Sequence, residues 1–161
     1  MPFPDTFTLG EALSRDRQPG QLAPEATLFR AWAKDQGNNY LRFATNVRLG
    51  EGIDPGDSYP ASARRYAVLT TQKRADLVAF HTASVDLFEV KIQAHLASLG
   101  QIQGYRYLWT KEFPAWPIDR IGIICRHLSP DTLAVLVDHQ VPVYIYPDVD
   151  LPVYQDLPPP E

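Results

Sequence analysis

A chain of 161 residues with 45% hydrophobic and 21% charged residues can bury one domain-sized core, and its makeup is that of a globular protein. Its single cysteine, Cys125, excludes an intramolecular disulfide framework and a cysteine-built zinc site. The formal charge of −4 argues against a broad, non-specific nucleic-acid binder. Four of the 19 acids (Asp148, Asp150, Asp156 and Glu161) follow Pro147, however, where no basic residue occurs, and the others balance the 15 Lys and Arg. No apolar run reaches the length of a membrane span, and the N-terminus lacks a charged-then-apolar signal pattern. The expectation is a cytoplasmic protein with no membrane partner.

In chain order, a short helix is expected around Leu9 to Arg15, closed by a Gln-Pro-Gly-Gln turn. Pro24 suits a first helical turn and Glu25 its positive end, while Leu28, Phe29, Trp32 and Ala33 form an apolar stripe that Gly37-Asn38-Asn39 stops. Tyr40 to Leu49 alternates as a strand, a turn-rich loop covers residues 50 to 60, and Ala61 to Thr71 reads as a helix carrying Arg64 and Arg65. After a hairpin comes a helix over Ala94 to Lys111, then a strand over Ile118 to Arg126. Ser129-Pro130 opens a helix to about His139, and Val141 to Tyr146 is a last strand. The expected fold is α/β with a central mixed sheet. Residues 1–147 form one domain, followed by an acidic, Pro-rich tail over 148–161.

The hairpin, Arg74 to Lys91, carries the chemistry. With a four-residue loop at His81 to Ser84, Phe80 faces Val85, Val78 faces Leu87, Asp76 faces Glu89, and Lys91 lies across from Arg74. Asp76, Glu89 and Lys91 then share one face, while Ala75, Leu77, Ala79, Phe88 and Val90 share the other with Asp86. Facing carboxylates disfavour a strand pair, and a divalent cation between them removes the penalty. Magnesium favours this kind of site, with one or two carboxylates, water and a substrate phosphate, and it lowers the pKa of a bound water that can attack phosphorus. Lys91 can position that water and stabilise transition-state charge. Glu25 is placed by chain order to reach a second metal or to orient the water. Gln101 and Tyr105, four apart, share a helix face, as do Gln103 and Tyr107.

The run Ala-Asp-Leu-Val-Ala, then Phe-Glu-Val-Lys, then Leu-Gly-Gln-Ile-Gln-Gly-Tyr-Arg-Tyr-Leu resembles the PD-(D/E)XK nuclease superfamily. Its Gln-x-x-x-Tyr helix is similar to the branch with lambda-type exonucleases and recombination nucleases. The resemblance spans roughly Pro24 to Arg126. It implies a restriction-endonuclease-like αβββαβ core with an extra C-terminal helix and strand. Asp76, Glu89 and the Val90 carbonyl would be metal ligands, Lys91 the catalytic lysine and Glu25 the first-helix acid. Gln101 would touch the nucleophile-side network or the nucleic acid, and Tyr105 would support it. The cofactor would be Mg2+, with Mn2+ able to substitute. Alanine rather than proline precedes Asp76. Gln101 is preferred over Gln103 because it follows Leu99-Gly100.

Plainer readings stand beside these. Asp76, Glu89 and Lys91 could be a solvated strand face, although Val78 and Leu87 between them argue for burial. Glu25 could serve only the helix dipole, and Gln101 and Tyr105 could only bridge helix to sheet. His81, His95, His127 and His139 lack metal-ligand spacing and read as incidental; His95 lies nearest the motif. Arg64, Arg65, Lys73, Arg74 and Arg106 are phosphate-contact candidates. The function expected is a metal-dependent nuclease acting on nucleic acid, DNA before RNA. The alternatives are a subunit that needs a partner or a second copy for targeting, and a catalytically silent nuclease-fold module.

Overall fold

A computed structural model describes residues 3–18 and 20–151. The elements in order are α1 (Leu9–Ser14), α2 (Ala23–Gln36), β1 (Arg42–Leu49), α3 (Ala61–Thr71), β2 (Lys73–Phe80), β3 (Val85–Ala94), α4 (Leu96–Glu112), β4 (Ile118–Leu128), α5 (Pro130–Asp138) and β5 (Val143–Ile145). The expected order is therefore present. β3 runs on to Ala94, where a helix was expected to begin, because its ladder with β4 continues to Ala94–Leu128. Of the expected tail, residues 152–161 lie outside the described residues. No described helix is long and apolar enough to cross a membrane.

The five strands lie in the order β1-β2-β3-β4-β5. The first three pair antiparallel, and β3–β4 and β4–β5 pair parallel, so the sheet is mixed, as expected. The tight loop between β2 and β3 can join only antiparallel neighbours, whereas α4 and α5 supply the crossovers that parallel pairs need. Their starts and stops are written locally. Ser129 caps α5 by accepting the Thr132 N–H at 3.2 Å, and Pro130 follows it.

Each face of the sheet carries its own core. α1 and α2 cover one face, where Leu28, Phe29, Trp32, Phe43, Leu77, Phe88, Val90 and Ile124 pack together. α4 and α5 cover the other, where Val78, Leu87, Ile102, Tyr105, Trp109, Ile123 and Leu136 meet. Fully burying one such side chain is worth about 1.5–3 kcal/mol, so both layers contribute strongly. Gly122 of β4 permits the close approach on the α2 side, since a Cβ there would stand 2.8 Å from the Phe88 ring.

The strand alternation breaks at one place. Ala75 was expected to share a face with Leu77, yet it packs in the α4-side core with Val47 and Leu49. In the β1–β2 ladder Thr45 pairs with Leu77 and Val47 with Ala75, while Asn46 and Asp76 between them do not pair. Asn46 has φ +55°, a left-handed conformation that interrupts the pleat. Gly20 is the residue that fits beside it, because a Cβ at Gly20 would lie 2.0 Å from Asn46 Nδ2.

Candidate active site

The hairpin loop closes as the residues suggest, with the His81 N–H donating to the Ser84 carbonyl at 2.9 Å. Phe80 pairs with Val85 and Val78 with Leu87, but the ladder ends at Leu77–Phe88, one residue short of Asp76 and Glu89. Asp76 and Glu89 are thus not a ladder pair, and Lys91 does not lie opposite Arg74. Beyond Leu77, β2 stays with β1, pairing Arg74 to Arg48, and β3 stays with β4, pairing Lys91 to Cys125. The sheet forks here. Like charges that a regular ladder would force into register are instead held at the mouth of the fork.

Asp76 bridges the fork by accepting the Val90 N–H at 2.9 Å. The Lys91 ammonium lies 2.8 Å from Glu89 Oε1 and 3.7 Å from Asp76 Oδ2. The Glu89 side chain is 0% exposed, against 21% for Asp76 and 32% for Lys91, so the acid sits at the bottom and the lysine faces solvent. Among the described residues neither Glu89 oxygen receives a well-directed hydrogen bond, and Lys91 meets the carboxylate as an ion pair. Burial, and then the Asp76 charge, push the Glu89 carboxyl up to about 7, despite Lys91. Burial opposes the charged form of Lys91, but Asp76 and Glu89 outweigh it and hold the ammonium above its ordinary range.

The two flanking helices reach the fork from opposite faces. Glu25, in the first turn of α2, accepts the Leu22 N–H at 3.3 Å, so it does serve as a helix-start acid. It also senses the fork, since burial and then Asp76 raise its carboxyl, with Lys91 acting against them. From α4, Tyr105 is buried beside Glu89 and Gln101, and its phenol is raised by burial and by the Glu89 and Asp76 charges. Tyr107 of the alternative pair is 61% exposed. Val90 contributes its N–H to Asp76 and its side chain to the α2-side core.

The basic candidates differ among themselves. Arg64 is engaged by Asp54 at 2.5 Å and by Asp57, tying the loop after β1 to α3. Arg65, Lys73, Arg74 and Arg106 form no ion pair among the described residues. Arg48, which the sequence reading passed over, faces Arg74 across the ladder at the fork. Facing cations disfavour a strand pair, as facing acids do. Asn46, also unforeseen, sits between Thr45 and Val47 opposite Asp76. A second group of carboxylate and imidazole side chains lies apart from the fork. His81, Asp86 and Asp119 each offer one ligand atom, all within 4.8 Å of one another, beside the hairpin loop.

No protein-family model and no curated protein matches the chain. Two solved structures align with it: a repair endonuclease from Pyrococcus abyssi, at 13% identity, 84% of this chain and a TM-score of 0.47, and the EndoMS–dsDNA2 complex, at 11% identity, 86% of this chain and a TM-score of 0.45. In both cases the aligned part spans 50% of the other chain.

Proposed function

We propose that this chain is a metal-dependent nuclease that hydrolyses phosphodiester bonds of nucleic acid, with DNA as the substrate. The observation that carries the reading is the fork itself: a wholly buried Glu89, with Asp76 beside it and a lysine ammonium between the two carboxylates. A cation already favours this position, and the undirected Glu89 oxygens fit a metal's need for hard oxygen donors. Asp76, Glu89 and the Val90 carbonyl would hold Mg2+ or Mn2+, with Glu25 available to a second ion or to water. Bound there, the metal would supply Lewis-acid polarisation of the phosphoryl oxygen and acidify a coordinated water.

The chain's own residues supply the rest. Lys91, kept protonated by its acidic neighbours, donates to the attacking water and stabilises the charge that grows on the phosphoryl oxygens. Glu25, partly buried and raised by Asp76, orients that water from the α2 side. Tyr105 positions the Glu89 carboxylate, and Gln101 holds Tyr105 or touches the substrate. Arg48, Arg74 and Lys73 line the outer arm of the fork and take phosphates on either side of the cut. The motif likeness to the PD-(D/E)XK superfamily supports the same assignment.

The test is cleavage of circular and linear DNA, single- and double-stranded, and of RNA, with Mg2+ or Mn2+ and with Lys91→Ala as control. Expected is metal-dependent cutting by the wild type alone. If every substrate stays intact in both metals, the stand-alone enzyme fails as a reading. A partner-dependent subunit then comes forward, and α3 favours that second reading. It buries no residue and exposes Tyr66 at 72%, and Ile53 and Tyr59 of the loop before it are exposed as well.

A further inference from the structure

We infer that His81, Asp86 and Asp119 form a second metal site, separate from the fork and suited to Zn2+. Asp86 lies on β3 three residues before Glu89, about 10 Å along the strand, and projects from the other face. Its side chain is 1% exposed, and its Oδ2 accepts the Tyr40 hydroxyl at 2.8 Å with His81 Nε2 3.4 Å away. Among the described residues its Oδ1 has no hydrogen-bond partner. A buried carboxylate oxygen without a hydrogen bond is costly, and such groups are rare unless a ligand completes them. Arg120, the register partner of Asp86, makes no ion pair with it.

Asp119 reaches the cluster through a defect in the sheet. The β3–β4 ladder pairs Val85 with Ile118 and Asp86 with Arg120, so Asp119 is the extra residue of a bulge. A bulge re-aims a side chain that regular alternation would send elsewhere. The Asp119 carboxylate is held by the Ser84 hydroxyl at 2.5 Å, as Tyr40 holds Asp86. Metal-ligating carboxylates are characteristically oriented by such outer donors. His81, its ring tilted against Tyr40 with centroids 4.7 Å apart, stands at the loop and leaves the cluster open to solvent on that side. One imidazole and two carboxylates make a borderline donor set that suits Zn2+ better than Mg2+, with the remaining position left to water. The ion would clamp the hairpin loop, β3 and the start of β4 together. This holds whether or not the fork cuts nucleic acid.

The experiment is calorimetric titration of Zn2+ into untagged protein carrying Asp76→Asn and Glu89→Gln, so that the fork is silenced. Expected is one bound equivalent and a higher melting temperature with Zn2+. Adding His81→Ala or Asp119→Asn should weaken binding at least tenfold and remove the thermal shift; circular dichroism checks that these more accessible changes leave the fold intact. Co2+ in place of Zn2+ should give a visible absorption band that His81→Ala abolishes. Absence of Zn2+ binding to the fork-silenced protein would overturn the assignment. So would binding that both His81→Ala and Asp119→Asn leave unchanged, which would place the ion elsewhere.

Discussion

Two buried acids three residues apart on β3, Asp86 and Glu89, are held in opposite ways. At Glu89 the sheet forks, a lysine stands among the acids, and the group opens towards solvent through Lys91. At Asp86 the sheet is closed by the hairpin, a bulge brings in a second acid, and tyrosine and serine hydroxyls hold the oxygens. The first arrangement sets a partly exposed ammonium between two carboxylates. The second has fixed donors and a nearly sealed carboxylate.

The sharpest break in that contrast comes from Lys91. Lys91→Ala should lower metal-dependent cleavage by about 10²–10³-fold, the loss typical of removing one transition-state donor. His81→Ala should leave the rate unchanged. Single-turnover assays on linear DNA read both, and an equal loss in the two variants would erase the distinction between the two groups.

Acid–base stability separates them next. Glu89 has a folded-state pKa of about 7 against an ordinary 4.5, so between those values the folded protein binds more protons than the unfolded chain. Stability without metal should therefore fall as pH rises from about 4.5 to 7, by on the order of 3 kcal/mol in full. Urea melts across that range should show the slope in the wild type and a flatter profile in Glu89→Gln. Saturating Mg2+ at pH 8 should recover part of the loss, and a chelator should return it.

A smaller effect tests the Asp86 group. Tyr40→Phe removes the donor to Asp86 Oδ2 and should cost about 1–2 kcal/mol in a urea melt, with cleavage rate unchanged. The smallest concerns the rim of the fork. Arg74→Ala should weaken DNA binding similarly across sequences and reduce the slope of log K against log salt by about one, as loss of a single phosphate contact does. Arg64→Ala should leave that slope alone, because its guanidinium is held by Asp54 and Asp57.

Much of this architecture was legible in the residues themselves. Periodicity located α2 through Leu28, Phe29 and Trp32, and Ser129-Pro130 marked the start of α5. The four-residue loop set the hairpin register as far as Leu77–Phe88, which put Asp76, Glu89 and Lys91 on neighbouring positions. These are local determinants: capping, alternation and turn length act within a few residues, so the chain carries them openly. Tertiary structure decided three other things. It opened the ladder at Asp76, through the left-handed Asn46 and the gap at Gly20, where alternation alone demanded a regular pair. It placed Arg48 against Arg74, from strands with a helix between them. It also brought His81, Asp86 and Asp119 together, although the histidines show no ligand spacing, because a hairpin loop and a bulge in a neighbouring strand converge only after β3 and β4 pair. Spacing along a chain reports contacts within one element; contacts between elements depend on register and on its defects, which are settled by packing the whole sheet.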